Sequence, residues 1–407
     1  MAEIQPFAGI RYRVPEDELP KVLAPPYDVI SPAEHHILYE RDPRNIVRVV
    51  LNRATAGLAY QEAGETYRRW LDEGVLAPDP EPALYVLEQS FAIDDKKVRR
   101  YGLLARFRAE DPSKGVILPH EHTRSGPRED RYRVLMATRA NFSPIFLMFP
   151  DTGRFSARVA MVIGSPAIAS FNDDAGVRHR LWRVTEEDSI TAFSESLGAV
   201  KSYIADGHHR YATALRYRDE VGPEGAWTYG YFTPLDAPGL TILPYHRLLA
   251  VAPTIEGARQ KLRDLFLVSL VSGTAAAAKD ATHSTMPYAF GFSVSGGGGF
   301  VAEALPEAED LLPADTPPSL RALDAYFLHK ALLPRLGVPE ESVTYVHDVA
   351  EAARSLAQGR NKMAVLMRST PVRQVVDVAD AGESMPTKST FFHPKLPSGL
   401  VIHPLAV

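Results

Sequence analysis

The sequence predicts an α+β fold, a mixed sheet with helices packed on it. Three observations carry this: β-prone apolar runs recur through the chain, amphipathic helical segments fall between them irregularly, and no regular strand–helix–strand winding or fixed-period repeat appears. With 407 residues, 45% of them hydrophobic and 23% charged, the chain has an ordinary globular composition and enough apolar side chains for large cores. At roughly 100–200 residues per domain the length allows two or three. We divide it into an N-terminal α/β region over 1–110, a core over 111–253, and a C-terminal α/β region over 254–407 that completes the site.

In the first region, AYQEAGETYRRWLDEGVL places Tyr67 and Trp70 at helical spacing and stops at Gly74, which predicts a helix from about Tyr60 to Glu73. ALYVLEQSFAI and RRYGLLARFRA flank the polar connection Asp94, Asp95, Lys96 and Lys97, the pattern of a hairpin. The core then alternates the strand GVILP, the charged loop EHTRSGPREDRYR, a short helical VLMATRA and the apolar SPIFLMF. HRLWRV, a helical TAFSESLGAV and the strand SYIA follow. After Asp206-Gly207 a helix runs through HHRYATALRYRDEV to Gly222-Pro223. In the last region a helical EGARQKLRDLF and AAAAKDATHS precede the strands YAFGFSVS and FVAEAL. Gly296 to Gly299 join these two, a hairpin tip rather than a phosphate loop, since no helix follows. A Pro-rich acidic stretch leads into one helix, RALDAYFLHKALLPRLG.

Composition removes whole classes of chemistry. Cysteine is absent, so disulfides, thiolate metal sites and a Cys nucleophile are excluded. The N-terminus lacks the apolar core of a secretory signal and no run approaches the roughly 18 apolar residues of a membrane span, so a cytoplasmic location without membrane partners is expected. A net charge of -5 argues against bulk nucleic-acid binding. P-loop, dinucleotide-binding GxGxxG, GxSxG and HExxH motifs are missing.

Three constellations remain. In IADGHHRYATAL an apolar strand delivers Asp206-Gly207 onto a helix that opens with His208, His209 and Arg210. Unbonded amides and cationic side chains then gather at one helix end, a place for phosphate or carboxylate, beside the plainer reading of Asp206 as an N-cap and the histidines as helix-surface residues. In LPHEHT, Glu121 stands between His120 and His122 and suits a general base; the two histidines also have a spacing that allows a metal, the weaker reading without a third ligand, beside a plain solvated loop. In SMPTKSTFFHPKLPSGLVIH, Lys388, Ser389, Thr390 and Lys395 crowd a proline-stiffened segment fit for an anion or for closing a sheet edge. APPYDVI with Asp28 and LPYHRLL with His246 and Arg247 read as structural.

PPYDVI, HEHT with a downstream EDR, NFSPIF, ADGHHRYATAL, LPYHR and MPTKSTFFHPKLPSGLVIH together resemble, over nearly the whole chain, domain-of-unknown-function family 1015. The Asp206–Arg210 turn also resembles the signature of the ParB/sulfiredoxin-like superfamily, and within it the free L-serine kinases. Those kinases also have a Pro-His-Glu upstream, matched by Pro119-His120-Glu121, and a Pro-Lys-Thr-Thr-like segment, matched by Pro386-Thr387-Lys388-Ser389-Thr390. The resemblance implies a ParB/sulfiredoxin-like nucleotide-binding core and a kinase acting on the hydroxyl of a small metabolite, free L-serine first, to give O-phosphoserine. It implies ATP or ADP as donor and Mg²⁺ as companion ion. Glu121 becomes the catalytic base and Asp206 a second acid. Gly207, His208, His209 and Arg210 become the phosphate cradle, and His120, Lys388, Ser389 and Thr390 the substrate-binding set, with no protein-held metal site. The alternative is a CTP- or ATP-binding ParB-like protein associated with DNA or regulation. Such a protein should carry a basic helix-turn-helix, which the sequence does not show.

Overall fold

A computed structural model describes residues 2–54, 58–93 and 96–405. The chain forms two compact units. The first draws on the stretch up to Pro119, on Thr123–Leu240 and on the chain from Pro394 onward; the second on His120–His122 and Thr241–His393. Division by packing therefore cuts the chain differently from division by sequence, because strands from 1–110 and from 111–253 share one sheet.

That sheet in the first unit has nine strands. Across it run Ile117–Leu118, Ser202–Asp206, Ile145–Phe149, Trp227–Pro234, Lys96–Arg108, Leu84–Ile93, Arg178–Val184 and Ala169–Asn172, with Ile4–Gln5 also pairing Lys96–Arg108. Pairing is mixed: Ser202–Asp206 runs parallel to Ile117–Leu118 but antiparallel to Ile145–Phe149, which is itself parallel to Trp227–Pro234. The expected hairpin forms, with Ile93 opposite Lys96; its tip at 94–95 lies outside the described residues.

Alternation along the strands explains the core. Leu84 and Val86, Leu103, Ala105 and Phe107, and Ile145, Leu147 and Phe149 fall at every second position and so share one face. Helices Arg154–Val162 and Glu187–Gly198 cover it through Phe155, Val159, Phe193 and Leu197. Burying each such large side chain stabilises by about 1.5–3 kcal/mol. The helix Leu58–Asp72 matches the expected one and buries Tyr67 and Trp70 from one stripe. The helical VLMATRA is the end of a longer helix, Ser125–Thr138.

The second unit holds a six-stranded sheet in the order Phe266–Ser272, Gly298–Ala304, Ala289–Val294, Met363–Leu366, His246–Leu249, Val343–Val346, antiparallel throughout. The glycine run is a hairpin tip as expected, with Gly296 and Gly297 at φ of 91° and 86°. Phe290, Phe292, Phe300 and Phe327 centre the core. The expected single helix from Arg321 is instead segmented into Asp324–Phe327, a π-turn over Leu328–Leu332, and Leu333–Leu336. Pro334 has no N–H and its ring crowds the preceding turn, so an i→i+4 ladder cannot run through it. No described helix is long and apolar enough to cross a membrane.

Candidate active site

The strand Ser202–Asp206 is buried along its first four residues and its register slips between Ile204 and Asp206 against Ile145–Phe149. One extra residue there turns the Asp206 side chain out of simple alternation. Gly207 follows at φ 99°, a conformation that costs a residue with a Cβ, and a Cβ there would also come within 2.9 Å of the Arg210 guanidinium carbon. The helix His208–Val221 then begins, and the amides of its first turn have no intrahelical acceptor.

Arg210 folds back over this turn. Its Nη2 donates to Asp206 Oδ2 at 2.6 Å and its Nη1 to the carbonyl of Pro144. The other carboxylate oxygen, Oδ1, accepts from Lys395 Nζ at 2.5 Å. Burial alone would raise the Asp206 carboxyl, but the charges of Lys395 and Arg210, the Lys395 hydrogen bond and nearby His208 override it and hold the group well below the usual carboxylate range. Two cations share this one carboxylate beside the helix N-terminus, whose dipole adds positive potential there.

Lys395 is itself positioned. Arg100, fully buried and lying over the Phe146 ring, donates from Nη2 to Gln89 Oε1 at 2.5 Å and to the Pro394 carbonyl at 2.6 Å, while Gln89 Nε2 donates to the Lys395 carbonyl at 3.0 Å. Adjacent hairpin strands thereby grip the backbone on both sides of the lysine.

His208 is buried. His209 accepts a hydrogen bond at Nε2 from the Arg124 amide at 3.0 Å, which fixes the proton of the neutral ring on Nδ1. Burial, aided by Arg124, Arg128 and Arg210 against the opposing pull of Asp28, lowers its pKa. His209 is therefore a neutral imidazole near neutrality. Tyr27, beneath Arg131 at 3.9 Å and pushed up to about 12 chiefly by burial, borders the same small cavity as Arg210. From the sequence Asp28 reads as structural and Lys395 only as part of a segment fit for an anion, while Tyr27 gives no signal of its own. The PPYDVI segment is tied in through Ser398, whose amide donates to the Ala24 carbonyl at 2.8 Å, and only such long-range pairing reveals it.

The remaining site residues lie in the second unit. Met385 donates its amide to the His120 carbonyl at 2.8 Å and pairs in parallel with Glu121. His120, 1% exposed, places Nε2 3.4 Å from Thr390 Oγ1. Lys388 adopts a left-handed φ of 59° and donates to the Tyr245 hydroxyl at 3.3 Å; Ser389 Oγ donates to the Pro386 carbonyl at 2.6 Å. The structure thus gathers His120, Glu121, Lys388, Ser389 and Thr390 around one crossing of extended segments, and Asp206, Gly207, Arg210 and Lys395 around one turn.

Among the described residues no group of three His, Asp or Glu side chains is placed to hold a metal ion. Asp206, with a cation on each oxygen, does not fit a metal ligand, so a divalent ion at this turn would have to arrive on the phosphates of its ligand.

A search of curated proteins gives no match. Among solved structures, a free serine kinase in complex with AMP is 13% identical, with 71% of this chain and 86% of that one covered and a TM-score of 0.36. A conserved hypothetical protein from Pyrococcus furiosus is 13% identical over 73% and 93% of the two chains, TM-score 0.35. SbnI with C-terminal truncation from Staphylococcus aureus is 11% identical over 74% and 87%, TM-score 0.38. The model of the family described as "Protein of unknown function (DUF1015)" matches residues 4–326, and the chain belongs to that family.

Proposed function

We propose that this protein is a nucleotide-dependent phosphotransferase that acts on the hydroxyl of a small metabolite, with free L-serine as the first acceptor and ATP or ADP as donor. The observation that carries this reading is the turn at Asp206–Arg210: a helix N-terminus, a glycine that keeps the backbone bare, and two cations, Arg210 and Lys395, gathered on Asp206. Phosphoryl transfer asks a protein mainly for position and charge compensation, and this turn supplies both to a phosphate. A ParB/sulfiredoxin-like core and a cytoplasmic location go with the reading, as does the absence of a nucleic-acid partner.

Within it, amides of the first helical turn receive the phosphate oxygens, with Gly207 allowing close approach. Asp206 holds Arg210 and Lys395 in place and stays ionised. The guanidinium and ammonium, with the helix N-terminus, stabilise charge developing on the transferred group. Neutral His209 offers an Nδ1–H donor without adding charge. Glu121 takes or orients the hydroxyl proton, and His120, Lys388, Ser389 and Thr390 bind substrate, the roles that the resemblance assigns. Mg²⁺ would supply further charge neutralisation while bound to the nucleotide.

The test is direct: pure protein incubated with ATP or ADP, Mg²⁺ and a panel of hydroxyl amino acids. An O-phosphorylated amino acid detected by mass spectrometry is expected. No product with any donor and acceptor refutes the assignment.

A further inference from the structure

Asp130 and Arg131, the last two residues of the EDR run, have no part in the chemistry above, yet they build a site in the first unit. A cavity of about 190 Å³ opens beside them, bordered by Val50, Ala59, Tyr60 and Val134. A second, of about 50 Å³, shares Val50, Arg131 and Val134 and continues to Tyr27, Thr213 and Arg210. Arg131 is thus common to a cavity large enough for a small metabolite and to one that reaches the candidate phosphate site.

The donors of Arg131 are not used up. Nε and Nη2 both donate to Asp130 Oδ2, and Nη1 donates to the Val50 carbonyl at 2.7 Å. A guanidinium has five N–H groups, so one on each terminal nitrogen remains unclaimed. This occurs on a side chain only 9% exposed, held flat on the Tyr27 ring at 3.9 Å. A rigid, nearly buried fork with two spare donors matches a carboxylate. Asp130 supplies the complement. Its Oδ1 accepts from the Tyr60 hydroxyl at 2.9 Å, and the carboxylate remains 41% exposed, with lone pairs left for an ammonium.

We propose that the Asp130–Arg131 cavity is a binding pocket for a small α-amino acid, built from other residues than the substrate set His120, Lys388, Ser389 and Thr390, with the carboxylate on Arg131 and the ammonium on Asp130. The inference rests on the cavity and its charge pair alone and does not need the phosphotransfer reading. An amino acid bound this way keeps its side chain free to lie along the smaller cavity toward Arg210, which admits a hydroxymethyl group and excludes bulky side chains.

Calorimetry with L-serine and, separately, ADP separates the two claims. We expect wild type to bind L-serine, and Arg131→Met and the cavity-filling Ala59→Leu each to weaken it at least tenfold while ADP affinity holds within twofold. Ala59→Leu leaves the charge pair untouched and so covers a failure of Arg131→Met to fold. If neither folded variant alters L-serine affinity, or if wild type binds no small amino acid, the pocket assignment falls. If L-serine binds in an Arg131-dependent way and no phosphoryl transfer occurs, the pocket stands and the kinase reading falls.

Discussion

Replacing Lys395 by Met tests the charge arrangement at the Asp206 turn. The ammonium sits 2.5 Å from Asp206 Oδ1, with side chains only 12% and 16% exposed. Methionine keeps much of the length and apolar stem but removes the charge. Two consequences follow, in different assays. The buried carboxylate keeps one partner, Arg210, so the fold should lose about 1.5–3 kcal/mol, the range for a hydrogen bond to a charged group, rather than the larger cost of an isolated buried charge. The turn also loses one positive charge. A phosphate ligand should then lose a contribution of similar size, a drop in nucleotide affinity of roughly 10- to 100-fold. Urea denaturation measures the first and calorimetric titration with ADP the second. An Asp206→Asn control moves affinity the other way, because it leaves two cations against no carboxylate, while it also destabilises. If Lys395→Met binds ADP as tightly as wild type, or if both variants shift affinity in one direction, the positive charge at this turn is not what receives the nucleotide.

Glu121→Gln should cut turnover by about 100- to 10,000-fold while ADP still binds, read by steady-state rates and calorimetry on the same sample; full activity removes the base from Glu121. Gly207→Ala should cost about 1–3 kcal/mol in chemical denaturation, from φ of 99° together with a Cβ pressed on Arg210. Acid should destabilise the protein from about pH 6.5 downward through its buried histidines. His246, His329 and His403 are lowered by burial to about 4, 3 and 3, so they stay neutral when folded but take a proton when unfolded. Their contributions are therefore present above about pH 6.5 and lost as pH falls; at pH 5 the His403 contribution alone is about 2 kcal/mol lower, and His403→Phe should flatten that slope in pH-dependent thermal melts.

Local pattern disclosed the strand–Asp-Gly–helix unit, the hairpin at 84–108, the helix around Tyr67 and Trp70 and the glycine-tipped hairpin, because each depends on neighbours in the chain. The partners of that unit depend on distant residues. Lys395 meets Asp206 across 189 positions, and Arg100 reaches Pro394 across 294, separations that no periodicity records. PPYDVI read as a stiff turn because prolines dominate its composition; its importance lies in where Ser398 anchors it. The helix from Arg321 failed for a different reason: its apolar spacing is helical throughout, and only the ring of Pro334 converts part of it to a π-turn.

The first unit is assembled from separated stretches, with residues 241–393 inserted before its last piece, from Pro394 onward. On a ribosome the Asp206 turn emerges nearly two hundred codons before its lysine. During that interval Arg210 is the nearby cation for a carboxylate destined for burial, and Gln89 and Arg100 have no Pro394–Lys395 carbonyls to grip. The nine strands of the first unit's large sheet are made by residue 234, and the second unit, contiguous apart from three residues already made, follows before the last piece of the first. Vectorial synthesis thus completes the inserted unit before the last piece of its host is made, and makes arrival of residue 395 the event that brings the second cation to Asp206.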